Sequence, residues 1–416
     1  MQSNCEVYIG NDNKVLITNK AIIAFAAQES LHDLPSGRLI LRAPNKAIEE
    51  VLQMPSNIDI EIVLSAFDSS YSNSAKDENI KSIKGNIVKH YSKTSGSNSC
   101  EYVIEFINAG EKLSYLSLVK GQAISNTSIG TIQKLSKMIG ATLNLDSANI
   151  ATNDYMKWLI VNKNFILSLK AILNHSYISD KDALYLTYNL DGTIRLGSIL
   201  NSYGSDTKLL YLYQRNSIDK LNYLVDMGSY KQLAYYANNV INAGGVITAT
   251  TQTGVSTYKT PIKGKATGPQ NAAVTSDAPN GKNEISGTLK SPITKTYLIV
   301  KKNPNVHDYY GIAPKIRDSV YGRFTNKIEI YASGESAVNV GDVINVIVPT
   351  VGSQFAKDYE LTYSIALSGK YLVSAKEYYF GNGDRFEVKM TLIKDSNNSN
   401  NADFLTTFGI DKDMIK

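Results

Sequence analysis

Alternation of apolar and polar residues with a period of two, at both ends of the chain, is the feature that most constrains its fold. Isoleucine and leucine recur at every second position over 58–64, and the same period runs through 101–106. Near the other end it runs through 359–367 and 386–392. Because successive side chains of a strand point to opposite faces of a sheet, this period predicts half-buried strands. The 27 tyrosines of the chain also favour strands.

The first third combines these strands with a predicted turn and two short helices. A segment with proline and glycine, 33–37, separates two apolar stretches, 22–31 and 38–42. Since both residues favour turns, we predict two strands joined by a turn at 33–37. Helical periodicity is confined to 45–54 and 127–139, and the second segment has capping residues at its start and a glycine after its end.

In the last third, the segments 359–367 and 386–392 alternate, and a Ser-Gly turn leads from the first of them into 371–380, which a Gly-Asn-Gly-Asp loop joins to 386–392. They predict a three-stranded antiparallel meander. Its register places Val388 on the apolar face and Lys389 on the solvated face.

The middle of the chain has a different pattern. A helical stripe over 164–174 precedes two apolar segments, 184–188 and 193–196, which flank a turn. This order predicts a small α/β module. From 244 to 296 the chain is rich in Thr, Ser, Gly and Ala and contains several prolines. We predict a loop-rich connector there, which a nonspecific protease cuts first in the isolated chain and which assembly protects.

Charge and composition exclude several classes of protein. With 43 Lys+Arg against 38 Asp+Glu, the net charge of +5 is small for 416 residues and argues against a dedicated nucleic-acid binder. The longest apolar run, 21–27, is too short for a membrane helix, so we expect no membrane insertion by this chain. The first residues lack the pattern of a secretory signal. Cys5 and Cys100 are expected to be free thiols.

Residues typical of a metal, cofactor or catalytic site do not cluster in the sequence. The four histidines lie far apart and the two cysteines form no Cys-x-x-Cys pair, so we predict no metal and no cofactor. Asp59 and Glu61 share one strand face, but their alternation with isoleucine is typical of a solvated face. Three other carboxylates are expected in a helix cap and a hairpin turn and not in a calcium loop: Asp180, Asp182 and Asp191. We therefore name no catalytic residue, no cofactor-binding residue and no metal ligand.

An ordered set of phrases in the two β-rich ends resembles one family. After a strand at 326–332 come VNVGDVINVIVP at 338–349, SGKYLVS at 368–374 and TLIKDS at 391–396. This order resembles the closing barrel of hub proteins in contractile phage tails. Type VI secretion spike proteins and contractile bacteriocins use a related hub. The segment DLPSGRLILR at 33–42 is also similar to the start of that family.

The resemblance implies a mainly β fold with an α+β insert, in which two tube-like antiparallel β-barrel domains flank a small α/β module. We place the domain boundaries accordingly: an N-terminal barrel over 1–148, the α/β module over 149–245, the connector over 246–296, the C-terminal barrel over 297–395, and a tail over 396–416.

The resemblance also implies a function. Such a chain is a structural subunit and not an enzyme. It is expected to form a homotrimer whose six barrels match the sixfold tail tube and which receives the threefold central spike. Other baseplate proteins are further partners, and DNA passes transiently through the channel. The protein is then part of the tail baseplate of a virion and is made and assembled in the cytoplasm of the host bacterium.

Two alternatives remain open at this point. Within the same class, the chain could be a distal tail or tube-initiator protein. From a different class, it could be a tail-associated cell-wall hydrolase whose carboxylate pair comes from distant positions in the sequence.

Overall fold

A computed structural model gives the fold of the chain. It describes the residues in the following ranges: 2–11, 14–42, 50, 52, 58–67, 79–94, 100–147, 150–161, 163–204, 210–212, 305–311, 313–322, 324, 326–333, 338–347, 349–350, 362–363, 368–381 and 385–394. The predicted helix at 45–54, the connector at 246–296, the loop at 382–384 and the tail at 396–416 lie wholly or almost wholly outside these ranges.

Strands dominate the described residues. They are β1 Gln2–Ile9, β2 Val15–Ile17, β3 Ile22–Ser30, β4 Asp33–Arg42, β5 Asp59–Phe67, β6 Asn79–Thr94, β7 Cys100–Ile107, β8 Gln122–Asn126, β9 Leu143–Leu145, β10 Met156–Ile160, β11 Leu184–Tyr188, β12 Ile194–Ser198, β13 Leu210–Leu212, β14 Asn326–Ser333, β15 Val343–Ile347, β16 Pro349–Thr350, β17 Thr362–Tyr363, β18 Gly369–Gly381 and β19 Arg385–Lys394. The helices are α1 Ser128–Met138, α2 Phe165–His175, α3 Ile199–Gly204 and α4 Ala313–Gly322, with 3-10 turns at Asn19–Ala21 and Glu111–Leu116.

One twelve-stranded sheet joins both ends of the chain. Its main path runs β13-β15-β18-β3-β4-β7-β6-β5-β1-β2, and β19 pairs with both β18 and β14. The link between the two ends is the antiparallel pair of β3 and β18, in which Tyr378 lies opposite Ala27. Every pair in this sheet is antiparallel except β13 with β15.

The predicted turn at 33–37 is wrong, because this segment forms the first half of β4. The chain reverses one step earlier, where His32 adopts a positive φ of 69°. Pro35 fits the strand because the β3–β4 register shifts beside it and its pairing with β7 begins only at Ser36. Gly37 is required for packing, since a Cβ atom there would lie 2.2 Å from Cζ of Phe106.

The predicted meander is confirmed for its second and third strands and corrected for its first. β18 and β19 form the expected hairpin. On the other edge of β18, however, the neighbours are β15 and β3. The described part of the first predicted strand is β17, and it pairs with β16. Because β15 and β3 already occupy this edge of β18, a third meander strand cannot pair with it.

The middle of the chain forms a small module with its own core. Helix α1 begins after Thr127, whose side chain accepts from the Gly130 N–H, and α2 begins after Asn164, whose side chain accepts from the Leu167 N–H. Both helices bury their apolar stripes against a three-stranded sheet, β11-β12-β9, and a ribbon of β8 and β10. The predicted helices and strands of this region are confirmed within a residue or two.

The fold class predicted from the sequence, mainly β with a small α/β insert, is confirmed. A single apolar core beneath the large sheet draws on strands from both ends of the chain. The four boundaries between the five predicted segments stay a prediction. No helix among the described residues is both long and apolar enough to cross a membrane.

Candidate functional site

The candidate site is a surface: the outer face of the large sheet, which we call the polar face. The strand registers align its side chains in rows across the sheet. One row runs from Tyr379 on β18 through Ala26 and Arg38 to Glu105 and Lys89. A neighbouring row places Lys389 beside Glu377 and Gln28.

Ion pairs connect neighbouring strands along the polar face. Lys389 Nζ lies 3.2 Å from Glu329 Oε2 and 3.5 Å from Glu377 Oε1. On the other side of the face, Arg42 Nη2 lies 3.4 Å from Glu101 Oε1. Positive and negative groups are thus direct neighbours at both sides of the polar face.

The charge of Glu329 follows from its position. Partial burial alone would raise the pKa of this carboxyl, but hydrogen bonds from Lys327 and Lys389 lower it instead. The carboxylate therefore stays ionised and paired, which keeps this part of the face hydrated but nearly neutral.

The opposite face of the same strands is mainly apolar and is covered by the core. Phe25 and Phe106 stack with their ring centroids 6.3 Å apart. On β19, Val388 and Met390 are completely buried, whereas Lys389 between them points to the polar face. The predicted register of this strand is confirmed.

A second cluster of charges, which we call the junction, holds the middle module to the large sheet. Arg195 on β12 contacts Asp146 through Nε, and its Nη1 lies 2.5 Å from Asp342 Oδ1. Tyr185 donates to Asp146, and its Oη lies 3.1 Å from the carbonyl oxygen of Gly341. The junction consists of these five residues.

The junction also fixes the turn before β15. Asp342 Oδ2 accepts from the Asn339 N–H at 2.8 Å, and Gly341 adopts a φ of 93°. A Cβ atom on Gly341 would lie 2.6 Å from Cε2 of Tyr185, so only glycine fits both the backbone and the ring. Burial alone would lower the pKa of Arg195, but its neighbours, which include Asp342 and Asp146, raise it, so the guanidinium stays charged.

Three further polar side chains are buried where the two ends of the chain meet. Glu29 on β3 accepts from the Tyr378 hydroxyl at 2.6 Å and from the Leu190 N–H at 3.3 Å. Lys376 donates to the Val338 carbonyl, and Lys394 Nζ lies 2.9 Å from the Ser368 carbonyl oxygen. These contacts tie β3, the middle module and the segments before β15 and β18 together.

The structure holds Asp59 and Glu61 in different environments. Glu61 is paired with Lys14 at 3.0 Å and accepts from Ser82, and these groups lower its pKa. Burial raises the pKa of Asp59, although Asn86 donates to it at 2.7 Å. With Glu61 already engaged by two donors, the pair has the contacts of an ion-paired strand face.

The other carboxylates have structural roles. Asp182 accepts from the Leu200 N–H at 3.0 Å and thereby caps α3. Asp191 accepts from the Thr193 N–H within the β11–β12 turn. Asp182 and Asp191 thus occupy a helix cap and a hairpin turn, as predicted, whereas Asp180 accepts from the Tyr177 hydroxyl at 3.0 Å.

Among the described residues, no three His, Cys, Asp or Glu side chains lie close enough together to hold a metal ion. Both cysteines are free thiols, as predicted. Burial, with a contribution from Glu6, raises the pKa of Cys5 to about 12.

Sequence reasoning missed the junction and the buried Glu29. Arg195 and Asp342 are 147 positions apart, and no period in the sequence connects them. The available signal was the Val-Gly-Asp phrase, because a glycine followed by an aspartate marks a tight turn with a side-chain acceptor.

The fold has solved counterparts, although no family model and no curated protein matches the sequence. The tail protein from Neisseria meningitidis MC58 aligns with a TM-score of 0.53 at 13% identity, over 94% of this chain and 97% of that one. The 43 kDa tail protein of prophage MuSo2 from Shewanella oneidensis aligns with a TM-score of 0.49 at 10% identity, over 94% and 97%. A component of the Escherichia coli type VI secretion system, described as similar in structure to T4 tail proteins, aligns with a TM-score of 0.40 at 11% identity, over 90% and 73%.

The likeness to the Neisseria protein extends over nearly the full length of both chains. At 13% identity it shows the fold and nothing finer. The chain thus has the fold of this tail protein, which confirms at the level of the fold the resemblance predicted from the sequence.

Proposed function

We propose that the chain is a structural baseplate hub subunit of a contractile phage tail and has no enzymatic activity. Three copies join the sixfold tail tube to the threefold central spike and leave a channel for the genome. The observation that carries this proposal is the single antiparallel sheet, with one face buried in a core from both ends of the chain and the other face charged and hydrated.

The polar face suits a channel wall. DNA binds tightly where lysine and arginine neutralise many phosphates and release counterions. On the polar face three cations have a carboxylate or a tyrosine hydroxyl nearby, in the pairs Arg42–Glu101, Lys89–Glu105 and Arg38–Tyr91. A sliding polyanion therefore meets alternating signs and is neither held nor repelled over any long stretch.

An exposed apolar patch on the middle module supports assembly into a trimer. Leu118 is 76% exposed and Leu159 is 74% exposed. Val161 is more than half exposed, and Leu167 is about half exposed. The patch lies around the β8–β10 ribbon and the start of α2. Contiguous apolar residues on a surface mark an interaction site, and we assign this one to a second copy of the chain.

The experiment that tests the proposal is a measurement of mass in solution, by light scattering with size separation, on the chain alone and mixed with its spike. We expect a homotrimer alone or on addition of the spike. A stable hexamer would replace the hub with the tube-initiator alternative. Clearing of purified peptidoglycan in a zymogram by the isolated chain would overturn the structural assignment altogether.

A substitution in the apolar patch sharpens this experiment. Leu159→Lys adds a charge to a side chain that is exposed in one copy, so the fold should persist while the trimer is lost. The matched control is Leu16→Lys, since Leu16 is 50% exposed on β2, outside the patch. A trimer that survives Leu159→Lys would exclude this patch from the interface.

A further inference from the structure

Residues 305–311, which we call the strap, lie across the middle module between the edge of β10 and the end of α2. At one end of the strap, the Lys157 N–H of β10 donates to the Asn305 carbonyl oxygen at 3.0 Å. At the other end, Tyr309 stacks on Tyr177, which follows α2, with the ring centroids 3.8 Å apart. Since β10 pairs with β8 along one edge, the strap covers part of its other edge.

Two histidines join the strap to the end of α2 through reciprocal hydrogen bonds. His307 Nε2 lies 2.9 Å from the carbonyl oxygen of His175, and His175 Nδ1 lies 3.2 Å from the carbonyl oxygen of Tyr310. A carbonyl oxygen can only accept, so these contacts assign the tautomer of each neutral ring. The proton is on Nε2 in His307 and on Nδ1 in His175.

Both histidine rings are packed among aromatic side chains. His175 stacks on Tyr310 with the ring centroids 4.0 Å apart, and His307 meets the same tyrosine edge-on at 5.8 Å. The His307 ring also lies beside the buried Trp158, at a centroid distance of 6.4 Å. The closed strap therefore keeps both imidazoles away from water.

A second proton on either ring is unfavourable while the strap is closed. His307 Nδ1 is buried and has no hydrogen-bond partner among the described residues, so a proton there would be an unpaired donor. Burial lowers the pKa of His307, although its bond to His175 opposes this. Burial also lowers the pKa of His175, against the effect of its bond to Tyr310, and the His307 ring lowers it further.

The acidic groups that face His307 do not compensate a charge on its ring. Asp154 and Asp308 both raise the pKa of His307, but burial has the larger effect. Asp154 is already engaged, because it accepts from the N–H groups of Ser128 and Tyr177 at 2.9 Å each. Asp308 is exposed, so water screens its charge.

We propose that the strap is acid-sensitive: it is closed while His175 and His307 are neutral, and proton uptake by these two rings opens it in mildly acidic solution. In an open strap both rings are in water, where histidine titrates near pH 6.5. The open form then binds protons more readily than the closed form. Opening uncovers the edge of β10 and the ring of Trp158. This device goes beyond the structural role proposed above and does not depend on it.

Amide hydrogen exchange of the full chain between pH 7.5 and pH 5.5, corrected for the intrinsic effect of pH on the exchange rate, tests the proposal. The reporters are the N–H groups of Lys157 and Tyr310, since both donate to carbonyl oxygens of the strap. We expect their protection to fall by up to about tenfold for each histidine. At pH 7.5 they should already be less protected than the amides of β7, because the strap opens without the large sheet.

The sensor is removed by the double variant His175→Asn/His307→Gln. The asparagine amide nitrogen replaces Nδ1 as the donor to the strap, the glutamine amide nitrogen replaces Nε2, and neither side chain takes up a proton in this range. The variant should keep the strap closed at pH 7.5 and lose the dependence on pH, and His307→Gln alone should lose about half of it on a logarithmic scale. The matched control is His90→Gln, an exposed histidine on β6, which should behave as the wild type.

Three results would overturn the proposal. The first is a protection of the Lys157 and Tyr310 amides that does not change with pH in the wild type. The second is an unchanged dependence on pH in the double variant or in His307→Gln. The third is equal protection of these amides and those of β7 at every pH, because the strap would then open only when the whole chain unfolds.

Discussion

The polar face and the junction are both built from ion pairs, but they differ in exposure and in what their charges hold together. On the polar face, Arg42 is 58% exposed and its partner is on a strand of the same sheet. In the junction, the Arg195 side chain is 21% exposed and its two partners come from distant parts of the chain. Exposed pairs contribute little to stability, whereas breaking a buried pair leaves an uncompensated charge. The charges of the polar face therefore determine how this surface meets solvent, whereas those of the junction hold the middle module to the large sheet.

The largest effect is expected where a charge enters the covered side of the same sheet. Val388→Asp places a carboxylate in the core and should lower the free energy of unfolding by about 4 kcal/mol or more, or unfold the chain. Chemical denaturation followed by circular dichroism measures this. Lys389→Gln, one residue along, is the matched control and should cost less than about 1 kcal/mol. A charge reversal there would bring three carboxylates together, so the neutral variant is the better control. Similar stabilities of the two variants would contradict the register of β19.

The second-largest effect is expected when Arg195, the central cation of the junction, is removed. Arg195→Met keeps much of the side-chain volume but leaves Asp146 and Asp342 without their cation, and we expect a loss of about 3 kcal/mol in the free energy of unfolding. The same denaturation measurement, with Arg42→Met as the control, compares the junction directly with the polar face. If both variants lost the same free energy of unfolding, the ion pairs of the junction would stabilise the fold no more than those of the polar face.

Gly341→Ala tests the turn that the junction holds. The positive φ and the close Tyr185 ring both oppose a Cβ atom, so we expect a loss of about 2 kcal/mol. Gly140→Ala is the control, because Gly140 also has a positive φ, but a Cβ atom there would meet open space, with no neighbouring group of the described residues within 4 Å. The melting temperature of Gly341→Ala should fall further than that of Gly140→Ala, and the opposite order would argue against the contact with Tyr185.

His32 is expected to make the free energy of unfolding depend on pH, with an effect smaller than those of the substitutions above. Its pKa in the folded chain is about 3, whereas a histidine in an unfolded chain titrates near 6.5. As the pH falls below 6.5, the unfolded chain takes up a proton that the folded chain does not, so stability declines. Between pH 6.5 and 5.5, the wild type should lose about 1 kcal/mol more than His32→Asn. Denaturation curves in a buffer without phosphate or carboxylate ions measure the difference, and parallel losses would show that His32 titrates normally.

The smallest effect is expected on the polar face itself. Arg42→Gln removes one exposed ion pair and should change the free energy of unfolding by less than about 0.5 kcal/mol. The effect should vanish in high salt, because exposed pairs are screened. A large loss, or one that persists in high salt, would place this pair in a contact that is not solvent-exposed.

The sequence predicted local elements well and their long-range partners poorly. Alternation located most of β5, β7 and β19, because the period of a strand is written in consecutive residues. Apolar residues beside turn residues located most of β3 and β18. It misplaced the first turn, since Pro35 and Gly37 have the composition of a turn but occupy a register shift and the space under Phe106. The pairing of β3 with β18 joins residues 349 positions apart, and the contact of Arg195 with Asp342 joins residues 147 positions apart. No local pattern in the sequence encodes either contact.

The pairing of β3 with β18 has a consequence for the order in which the protein folds. Glu29 and Tyr378, which bond across this pair, are 349 positions apart. At roughly 5–20 residues per second, a ribosome needs about 17–70 s to make the intervening chain. During that time the edge of β3 has no partner, while the middle module, whose contacts are local, can already form. An unpaired strand edge on a nascent chain invites association with other chains. We therefore expect that the rate of synthesis of the residues between β3 and β18, more than the final stability, limits how much of this protein reaches its native state.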